Sequence, residues 1–415
     1  MNIYVRRVLS SLRQYEPIFS RSNPQTLQRC GVKESLLLRF ASTGKTVKSP
    51  TKSNAMKRYG KLLAVGFSVG AIGGAAYMYE IYKKIVTPLA NPSEGSEYLL
   101  KEKPPTFKAA RTIRTPTDTT GLKITLFQYQ TCPFCCKVRA FLDYYGFNYD
   151  VIEVNSVTRA QTRWTDYRKV PFLVVALPNS DKVLQLKDSS MIVSVMQSFL
   201  DNKTENLEDL VKCYPTIEFT DDEGEKRLEI MNRYFLMYGK HPPGRSKDDI
   251  VEERKWRKWV DDVLVHVLSP NVYRTPQESF QAFQWFSKAG SWEEHFETWE
   301  RLLVLYVGSI AMFLIGKNLK RRHQIKDDVR ASFYDDVNVW LKALKKKGTK
   351  FMGGDEPNLS DLSVFGVLTA VEGCDAFQDV KSNTKITPWF EQMKEVVSQH
   401  GGAKFTMERG NLLQN

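Results

Sequence analysis

The chain has 415 residues, enough for two or three domains with cores of their own. Its net charge of +13 is concentrated in residues 1–60, where twelve Lys or Arg and two Glu contribute +10. Because the remainder is close to neutral, the charge does not indicate nucleic acid as a partner, and six cysteines without regular spacing argue against a secreted disulfide scaffold.

Residues 1–60 are rich in Arg, Lys and Ser, which predicts a disordered or targeting segment. A mitochondrial presequence and a cytosolic basic tail are both compatible with this composition. Residues 61–80 contain the run LLAVGFSVGAIGGAAYMY (62–79), which carries no charge and is just long enough to cross a bilayer. Its stripe of glycines at every fourth position suits close helix pairing. We therefore predict a single N-terminal transmembrane helix.

Residues 81–121 are rich in proline, serine and threonine, which predicts a linker. Hydrophobic periodicity in residues 122–202 predicts the order β-α-β followed by β-β-α. The predicted strands are 122–129, 148–155, 170–177 and 182–186, and the predicted helices are 133–146 and 188–200. Residues 203–400 are expected to form an all-α domain. Its longest predicted helices are 249–269, 300–323, 329–347 and 357–373, and Asn358 and Asp361 form a candidate capping box in the last of these.

The stretch YQTCPFCCKVRAFLDYYG, residues 129–146, holds three of the six cysteines. A zinc site needs about four ligands, and no second Cys/His pair lies nearby, so no metal site is predicted. A structural disulfide is not expected at a strand-to-helix junction that contains a proline. An inert, buried role stays open for Cys136. A C-x-x-C motif after a strand, at the first turn of a helix, is typical of a thioredoxin-type redox or nucleophile site.

Cys132 is the candidate reactive thiol. The positive end of a helix dipole favours a thiolate and lowers its pKa, and Cys132 comes first in the helix and should be the exposed cysteine. Cys135 lies one turn deeper, where a resolving partner is usually found. Pro133 suits the first helical position because it lacks the amide hydrogen that would be unpaired there.

Two later segments fit a glutathione-type site. Pro171 begins a strand where thioredoxin-like folds carry a cis-proline, which leaves the Val170 backbone free to pair with an extended thiol peptide. Asp188 and Ser189 begin a helix, whose free N–H groups and hydroxyl can hold a carboxylate. Each feature is common alone, but their order after the C-x-x-C motif is specific.

The segments YQTCPFC and KVPFLV…DSS resemble glutaredoxins, and a helical region after such a unit resembles the glutathione transferase architecture. WVDDVLVHVLSPNVYRTP and FMGGDEPNLSDLSVFGVL are similar to the type 2 membrane-associated prostaglandin E synthases, over roughly residues 120–395. The resemblance implies an α/β thioredoxin-like domain, a glutathione-transferase-like helical domain, and an isomerase that converts prostaglandin endoperoxide H to prostaglandin E. It also implies a homodimer that binds glutathione, can bind haem, and is anchored at Golgi membranes or released by N-terminal processing into the cytoplasm.

The resemblance also implies roles for individual residues. Cys132 is the catalytic thiol, and Tyr129 stabilises it. Glutathione is held by Val170, Pro171, Asp188 and Ser189, and the hydrophobic substrate lies against Phe134, His266, Ser269 and Arg322. Two departures weaken the match: Cys136 replaces a small polar residue, and Asn318 stands where a second arginine is expected.

Two other classes of function stay open. The Cys132–Cys135 pair would suit a glutathione-dependent thiol–disulfide oxidoreductase, although small glutaredoxins work without a large helical domain. A haem- or lipid-binding protein without turnover is the other alternative. For localisation, the acid-poor N-terminus favours the mitochondrion, whereas the resemblance favours the Golgi membrane.

Overall fold

The computed structural model describes residues 96–414, apart from residues 157, 179, 221–223, 225 and 239–244. The predicted basic segment (1–60) and transmembrane helix (61–80) lie outside the described residues, as does the first part of the predicted linker.

A five-stranded mixed sheet forms the centre of the first half of the described chain. Its strands are β1 (Arg111–Ile113), β2 (Lys123–Gln128), β3 (Tyr149–Glu153), β4 (Phe172–Ala176) and β5 (Val183–Lys187), in the spatial order β1-β3-β2-β4-β5. Strands β2 and β3 are parallel, and β4 pairs antiparallel with both β2 and β5. Helix α1 (Pro133–Tyr144) follows β2, and helix α2 (Ser189–Asp201) follows β5. This order confirms the prediction, and the fold of this part is thioredoxin-like.

Successive side chains of β2 point to opposite faces of the sheet, and both faces are covered by packed side chains. Ile124 and Leu126 belong to the large core, together with Phe141 of α1. Phe127 belongs to a second cluster, here called the aromatic cluster, in which aromatic and aliphatic side chains pack together, and its ring stacks on Phe172 with centroids 4.5 Å apart. Because both faces are packed, the end of β2, where the loop to Cys132 begins, is firmly held.

The part of the expected linker that the structure describes, residues 96–121, packs on the thioredoxin-like unit instead of spanning freely. Ser96–Tyr98 forms a short 3₁₀ helix, and Arg111–Ile113 is the edge strand β1. Tyr98 is buried, and its hydroxyl donates to the Tyr214 carbonyl at 2.5 Å. Proline-rich composition does not reveal such contacts, because an extended edge segment can bind through a few backbone and side-chain hydrogen bonds.

The remainder is mainly helical, as predicted, but it is not all-α. The helices are α3 (Leu207–Val211), α4 (Lys247–Trp259), α5 (Val265–Val272), α6 (Pro276–Ala289), α7 (Trp292–His295), α8 (Thr298–Leu303), α9 (Ser309–Arg322), α10 (Val329–Lys347), α11 (Leu359–Thr369), α12 (Asp375–Asn383), α13 (Thr387–Ser398) and α14 (Ala403–Gln414). Strands β6 (Thr216–Thr220) and β7 (Lys226–Ile230) form an antiparallel hairpin before α4. These strands are short and largely solvent-facing, so they lack the apolar run by which buried strands are predicted.

Two of the predicted long helices contain π-helical turns. Val260–Leu264 separates α4 from α5, and Val304–Gly308 separates α8 from α9. A π turn holds an extra residue and is often found at functional sites. The side chains after each π turn therefore point in a different direction from the one that a continuous α-helix would give them.

The two halves of the described chain meet where α11 packs against α1. A Cβ atom added at Gly366 would lie 2.5 Å from the Lys137 Cα and 2.8 Å from the Cys136 carbonyl oxygen. Glycine is therefore needed for this close approach. The predicted capping box of Asn358 and Asp361 is confirmed at the start of α11.

The end of the chain returns to the thioredoxin-like part. The Gly402 amide donates to the Tyr144 carbonyl at 2.9 Å, and the Thr406 hydroxyl donates to the Tyr145 carbonyl at 2.8 Å. Gly402 and the first turns of α14 thus satisfy carbonyl groups at the C-terminal end of α1 that would otherwise be unpaired.

Within the described part of the chain, Thr298–Arg322 is the one helical stretch long and apolar enough to cross a membrane by length and composition. Only 17% of its most apolar window is buried. Its exposed apolar side chains, here called the apolar stripe, are Trp299, Leu302, Leu303, Tyr306, Val307, Ile310, Leu314 and Ile315.

Candidate active site

Cys132 is the N-cap residue of α1, after the loop that leaves β2. Pro133 opens the helix, as predicted. The Cys132 amide donates to the Tyr129 carbonyl at 3.1 Å, which closes the turn before the helix. The Cys132 side chain is half-buried, whereas Cys135 and Cys136 are buried. Of the three clustered thiols, the most accessible is the one at the helix N-terminus.

A hydrogen bond from the Cys135 thiol is the largest reason why the pKa of Cys132 lies below its usual value. Burial opposes this effect, but the backbone amides of Cys135 and Phe134 and the charge of Arg139 lower the pKa further. The amides belong to the first turn of α1, where N–H groups have no helical partner. This environment favours the nucleophilic thiolate form of Cys132.

The other two thiols of the cluster are held protonated. Burial raises the pKa of Cys135 well above its usual value, and its hydrogen bond to Cys132 and the Cys132 charge raise it further. Burial also raises the pKa of Cys136 to about 11, although the Arg139 Nη2 lies 3.1 Å from its sulfur. The pKa of Cys132 is therefore lowered, whereas Cys135 and Cys136 are kept in the neutral thiol form near neutral pH.

Tyr129 lies against the aromatic cluster on the opposite face of the sheet. Burial raises the pKa of its hydroxyl to about 12. Among the described residues the hydroxyl makes no hydrogen bond to the Cys132 sulfur, and the contact between the two residues is through the Tyr129 carbonyl. The expected stabilisation of the thiol by this hydroxyl therefore stays a prediction.

The Val170–Pro171 peptide bond is cis, as the sequence context predicts. The ladder between β2 and β4 begins at Phe172, so the Val170 backbone stands outside the sheet. No described residue forms a hydrogen bond to the Val170 N–H or carbonyl. These two groups are available to an extended peptide.

Asp188 is the N-cap of α2, and its Oδ1 accepts from the amides of Ser190 and Met191 at 2.9 and 3.0 Å. Its φ of +67° is rare for a residue with a side chain, and such strain is often found at functional sites. The amides expected to be free for a ligand are thus partly used by Asp188 itself. The Ser189 amide and hydroxyl form no hydrogen bond to a described residue, and they remain as donors.

Lys137 is a site residue that the sequence analysis did not identify. Its Nζ lies 2.5 Å from Asp261 Oδ1 and 2.8 Å from the Ser190 hydroxyl. The other Asp261 oxygen accepts from Ser190 at 2.5 Å and from the Tyr234 hydroxyl at 3.0 Å. This buried network, here called the Lys137–Asp261 network, joins the cysteine helix, the start of α2 and the first π turn.

His266 and Ser269 lie on α5, which follows that π turn, and both are half-buried. The His266 ring stacks on His323 with centroids 4.0 Å apart. Burial lowers the pKa of His266, and burial together with His266 and Arg322 lowers the pKa of His323 to about 4. Both rings are therefore neutral at neutral pH, and Arg322 is exposed at the end of α9.

Phe134 is half-buried against the large core, with the Lys137 ammonium 5.6 Å from its ring centroid.

Tyr273, which ends α5, was not predicted. Burial raises the pKa of its hydroxyl, and Cys374 and Cys132 raise it further, so this hydroxyl lies within electrostatic reach of the thiol. No group of three or more His, Cys, Asp or Glu suited to a metal ion occurs among the described residues.

The sequence matches a family model described as Glutaredoxin over residues 124–176, which span β2 to β4. A Danio rerio protein named prostaglandin E synthase 2 is 43% identical over 284 residues, which cover 68% of this chain and 72% of that protein. A Mus musculus protein of the same name is 36% identical over 381 residues, which cover 89% of this chain and 93% of that protein. A solved glutathione S-transferase I from maize, in complex with an atrazine glutathione conjugate, has 14% identity and a TM-score of 0.38, and covers 69% of this chain and 98% of its own.

Proposed function

The chain belongs to the prostaglandin E synthase 2 family, and we propose that it isomerises prostaglandin endoperoxide H to prostaglandin E through the Cys132 thiol. The observation that carries the proposed role of Cys132 is the contrast in pKa within the cluster, lowered for Cys132 and raised for Cys135 and Cys136. A single thiol with a lowered pKa suits a reaction that needs no second electron carrier.

The reaction redistributes electrons within the substrate. The Cys132 thiolate forms a bond to one endoperoxide oxygen as the weak O–O bond breaks, and the other oxygen takes a proton to become a hydroxyl. Loss of the proton on the neighbouring ring carbon then turns the C–H electron pair into the second bond of the ketone, and the S–O pair returns to sulfur. One proton is taken and one is released, so the substrate is isomerised and Cys132 is regenerated.

A thiol–disulfide oxidoreductase is the second candidate, because Cys132 and Cys135 are joined by a thiol hydrogen bond. Resolution of a mixed disulfide requires attack by a thiolate. Burial raises the pKa of Cys135 and so opposes this step, whereas donating a hydrogen bond to Cys132 requires the protonated form. The protonation of Cys135 therefore favours the isomerase.

The hydrophobic substrate is proposed to lie between α1 and α5, against Phe134, His266 and Ser269. Neutral, stacked imidazole rings suit an apolar chain better than charged ones would. Arg322 supplies the cation for the substrate carboxylate, and Tyr129 contributes its backbone turn beside Cys132.

Glutathione is proposed as a cofactor, held by the backbone beside Pro171 and by Asp188 and Ser189. The unpaired Val170 backbone suits the cysteinyl part of the peptide, and the unpaired Ser189 donors suit the γ-glutamyl carboxylate. When bound, glutathione supplies a second thiol to the site.

The described residues do not offer haem a complete site. Haem carries two carboxylates, whereas Arg322 is the one cation assigned to this pocket, and Asn318 stands where the resemblance implies a second arginine. The nearby His266 and His323 rings face each other. No step of the reaction is therefore assigned to haem.

The proposed assembly is a homodimer anchored in the membrane by residues 61–80, which lie outside the described residues. The apolar stripe is the surface proposed to meet the second copy, because eight apolar side chains on one helical stretch are exposed in a single chain. A Golgi membrane follows from the family resemblance, a mitochondrial location from the basic N-terminus, and a processed form in the cytoplasm from cleavage before the folded part.

The proposal is tested with three single variants, Cys132→Ser, Cys135→Ser and Cys136→Ser, and with Cys213→Ser as a thiol control outside the cluster. Product formation from prostaglandin endoperoxide H is measured, and circular dichroism checks folding. We expect Cys132→Ser to lose activity by about 100-fold or more, because general acid–base and nucleophilic groups contribute roughly that much. The other three should stay within about threefold. A folded, fully active Cys132→Ser protein would refute the thiol mechanism, and loss of activity in Cys135→Ser without glutathione would favour the oxidoreductase.

A further inference from the structure

Arg233 lies beside the proposed glutathione anchor, in the segment that joins the two halves of the described chain. Its Nη1 is 3.8 Å from Asp188 Oδ2, and its Nη2 is 3.8 Å from Glu229 Oε1. Both distances are too long for hydrogen bonds. None of the five guanidinium N–H groups donates a hydrogen bond to a described residue, and the Nε is buried without a partner. A half-buried arginine with unused donors is suited to a ligand.

The Arg233 backbone is fixed on α2. Its carbonyl accepts from the Ser194 hydroxyl at 2.7 Å, and Ser194 in turn accepts from Arg257 Nη2 at 2.7 Å. The guanidinium lies 5.1 Å from the centroid of the Tyr234 ring. Because its backbone and one face are held, little of its freedom remains to be lost when a ligand binds.

The groups around Asp188 complement both charges of an α-amino acid. The Asp188 Oδ1 is used by the helix cap, but the Oδ2 has only the long contact with Arg233. This oxygen can accept from an ammonium group. The Ser189 amide and hydroxyl and the Arg233 guanidinium can donate to a carboxylate, for which the planar guanidinium fork is well shaped.

We propose that Arg233 recognises the α-carboxylate of the γ-glutamyl end of glutathione, while Asp188 recognises the adjacent ammonium group. The inference rests on the proposed glutathione site, and it adds a residue that makes the site specific for a free amino acid end. Most of the preference for ligands that carry this carboxylate should therefore depend on Arg233, and the Ser189 donors should account for the small remainder.

Two glutathione analogues separate the charges: 4-aminobutyryl-Cys-Gly lacks the α-carboxylate, and glutaryl-Cys-Gly lacks the amine. Binding of all three ligands to the full-length protein in detergent is measured by calorimetry. The wild type should prefer glutathione over the aminobutyryl analogue by about 10- to 100-fold, as expected for a charged hydrogen bond. In Arg233→Met this preference should fall to about threefold or less, while the preference over the glutaryl analogue persists.

Arg227→Met, at an exposed arginine of β7, is the matched control and should behave as the wild type. Arg233→Gln replaces Arg233→Met if the latter does not fold, with the same expectation. An Arg233 variant that keeps the wild-type preference, or a wild type that binds glutathione and the aminobutyryl analogue equally, would overturn the role of Arg233 alone. A wild type that does not bind glutathione would overturn the cofactor proposal together with this inference.

Discussion

Replacing Lys137 by methionine should destabilise the protein strongly. The Lys137 side chain is 2% exposed and lies 2.5 Å from Asp261, which is 14% exposed. Removing one member of such a buried pair leaves the other charge buried without a partner, which lowers the free energy of unfolding by about 3–5 kcal/mol. An exposed pair contributes only about 0–1 kcal/mol, so Lys182→Met, which breaks the exposed contact with Glu208, is a matched control.

The pH dependence of the lost stability distinguishes a buried charge without a partner from a lost apolar contact. Burial favours a raised pKa at Asp261, but Lys137 and the hydrogen bonds from Ser190 and Tyr234 bring it below the usual 3.8. In the wild type, the group therefore adds stability above pH 3.8 that is lost as the pH falls. Without Lys137, burial raises the pKa of Asp261, and stability falls as the pH rises through the new value. The penalty should be largest near about pH 8 and smaller near about pH 5.

The assay is urea unfolding of the full-length protein in detergent at both pH values, followed by tryptophan fluorescence. The double variant Lys137→Met/Asp261→Asn removes both charges but leaves an amide oxygen to accept from Ser190 and Tyr234. At the higher pH this double variant should recover about half or more of the lost unfolding free energy, because neither buried side chain then carries a charge without a partner. A loss below about 1 kcal/mol in Lys137→Met, or a loss independent of pH, would refute the argument.

Three further outcomes follow from the structure. Gly366→Ala should lower the free energy of unfolding by about 1–3 kcal/mol, because the added methyl group meets the backbone of Lys137. An unchanged midpoint of thermal unfolding would show that α11 can shift to make room for it. Burial raises the pKa of Glu153 to about 7 from 4.5, so the wild type should lose stability as the pH rises through that range, and Glu153→Gln should show a flatter profile by chemical denaturation; parallel profiles would count against this ionisation. Ile310→Asp, on the apolar stripe, should convert the proposed homodimer to monomers in light scattering, and an unchanged mass would remove the stripe as the interface.

The thioredoxin-like elements could be predicted because each has a regular apolar pattern and the order of patterns is distinctive. The position of Cys132 before Pro133 likewise follows from local sequence, since helix starts have local signals. The hairpin β6–β7 and the edge strand β1 could not be predicted in the same way. They are short, and their pairing depends on partners rather than on their own apolar period.

The Lys137–Asp261 network could not be predicted from the sequence for a different reason. Lys137 is four residues before Phe141, on the buried face of the predicted helix, which is a signal that it needs a partner. The partner is 124 residues away in the chain, and nothing local in the sequence identifies it. The Asp188 cap, by contrast, is local, but the sequence does not show whether the N-cap aspartate or a ligand takes the Ser190 amide.

The return of α14 to the end of α1 has a consequence for synthesis on the ribosome. The thioredoxin-like unit is largely translated by residue 202, but the Gly402 and Thr406 contacts that complete it come about 200 residues later. At about 5–20 residues per second, this delay is roughly 10–40 s. During that time the carbonyl groups of Tyr144 and Tyr145 lack these partners, so the unit that carries Cys132 reaches its final packing only once residues 402–406 have left the tunnel. The nascent protein is therefore expected to become resistant to protease in this unit at that point, and not when residue 202 leaves the tunnel.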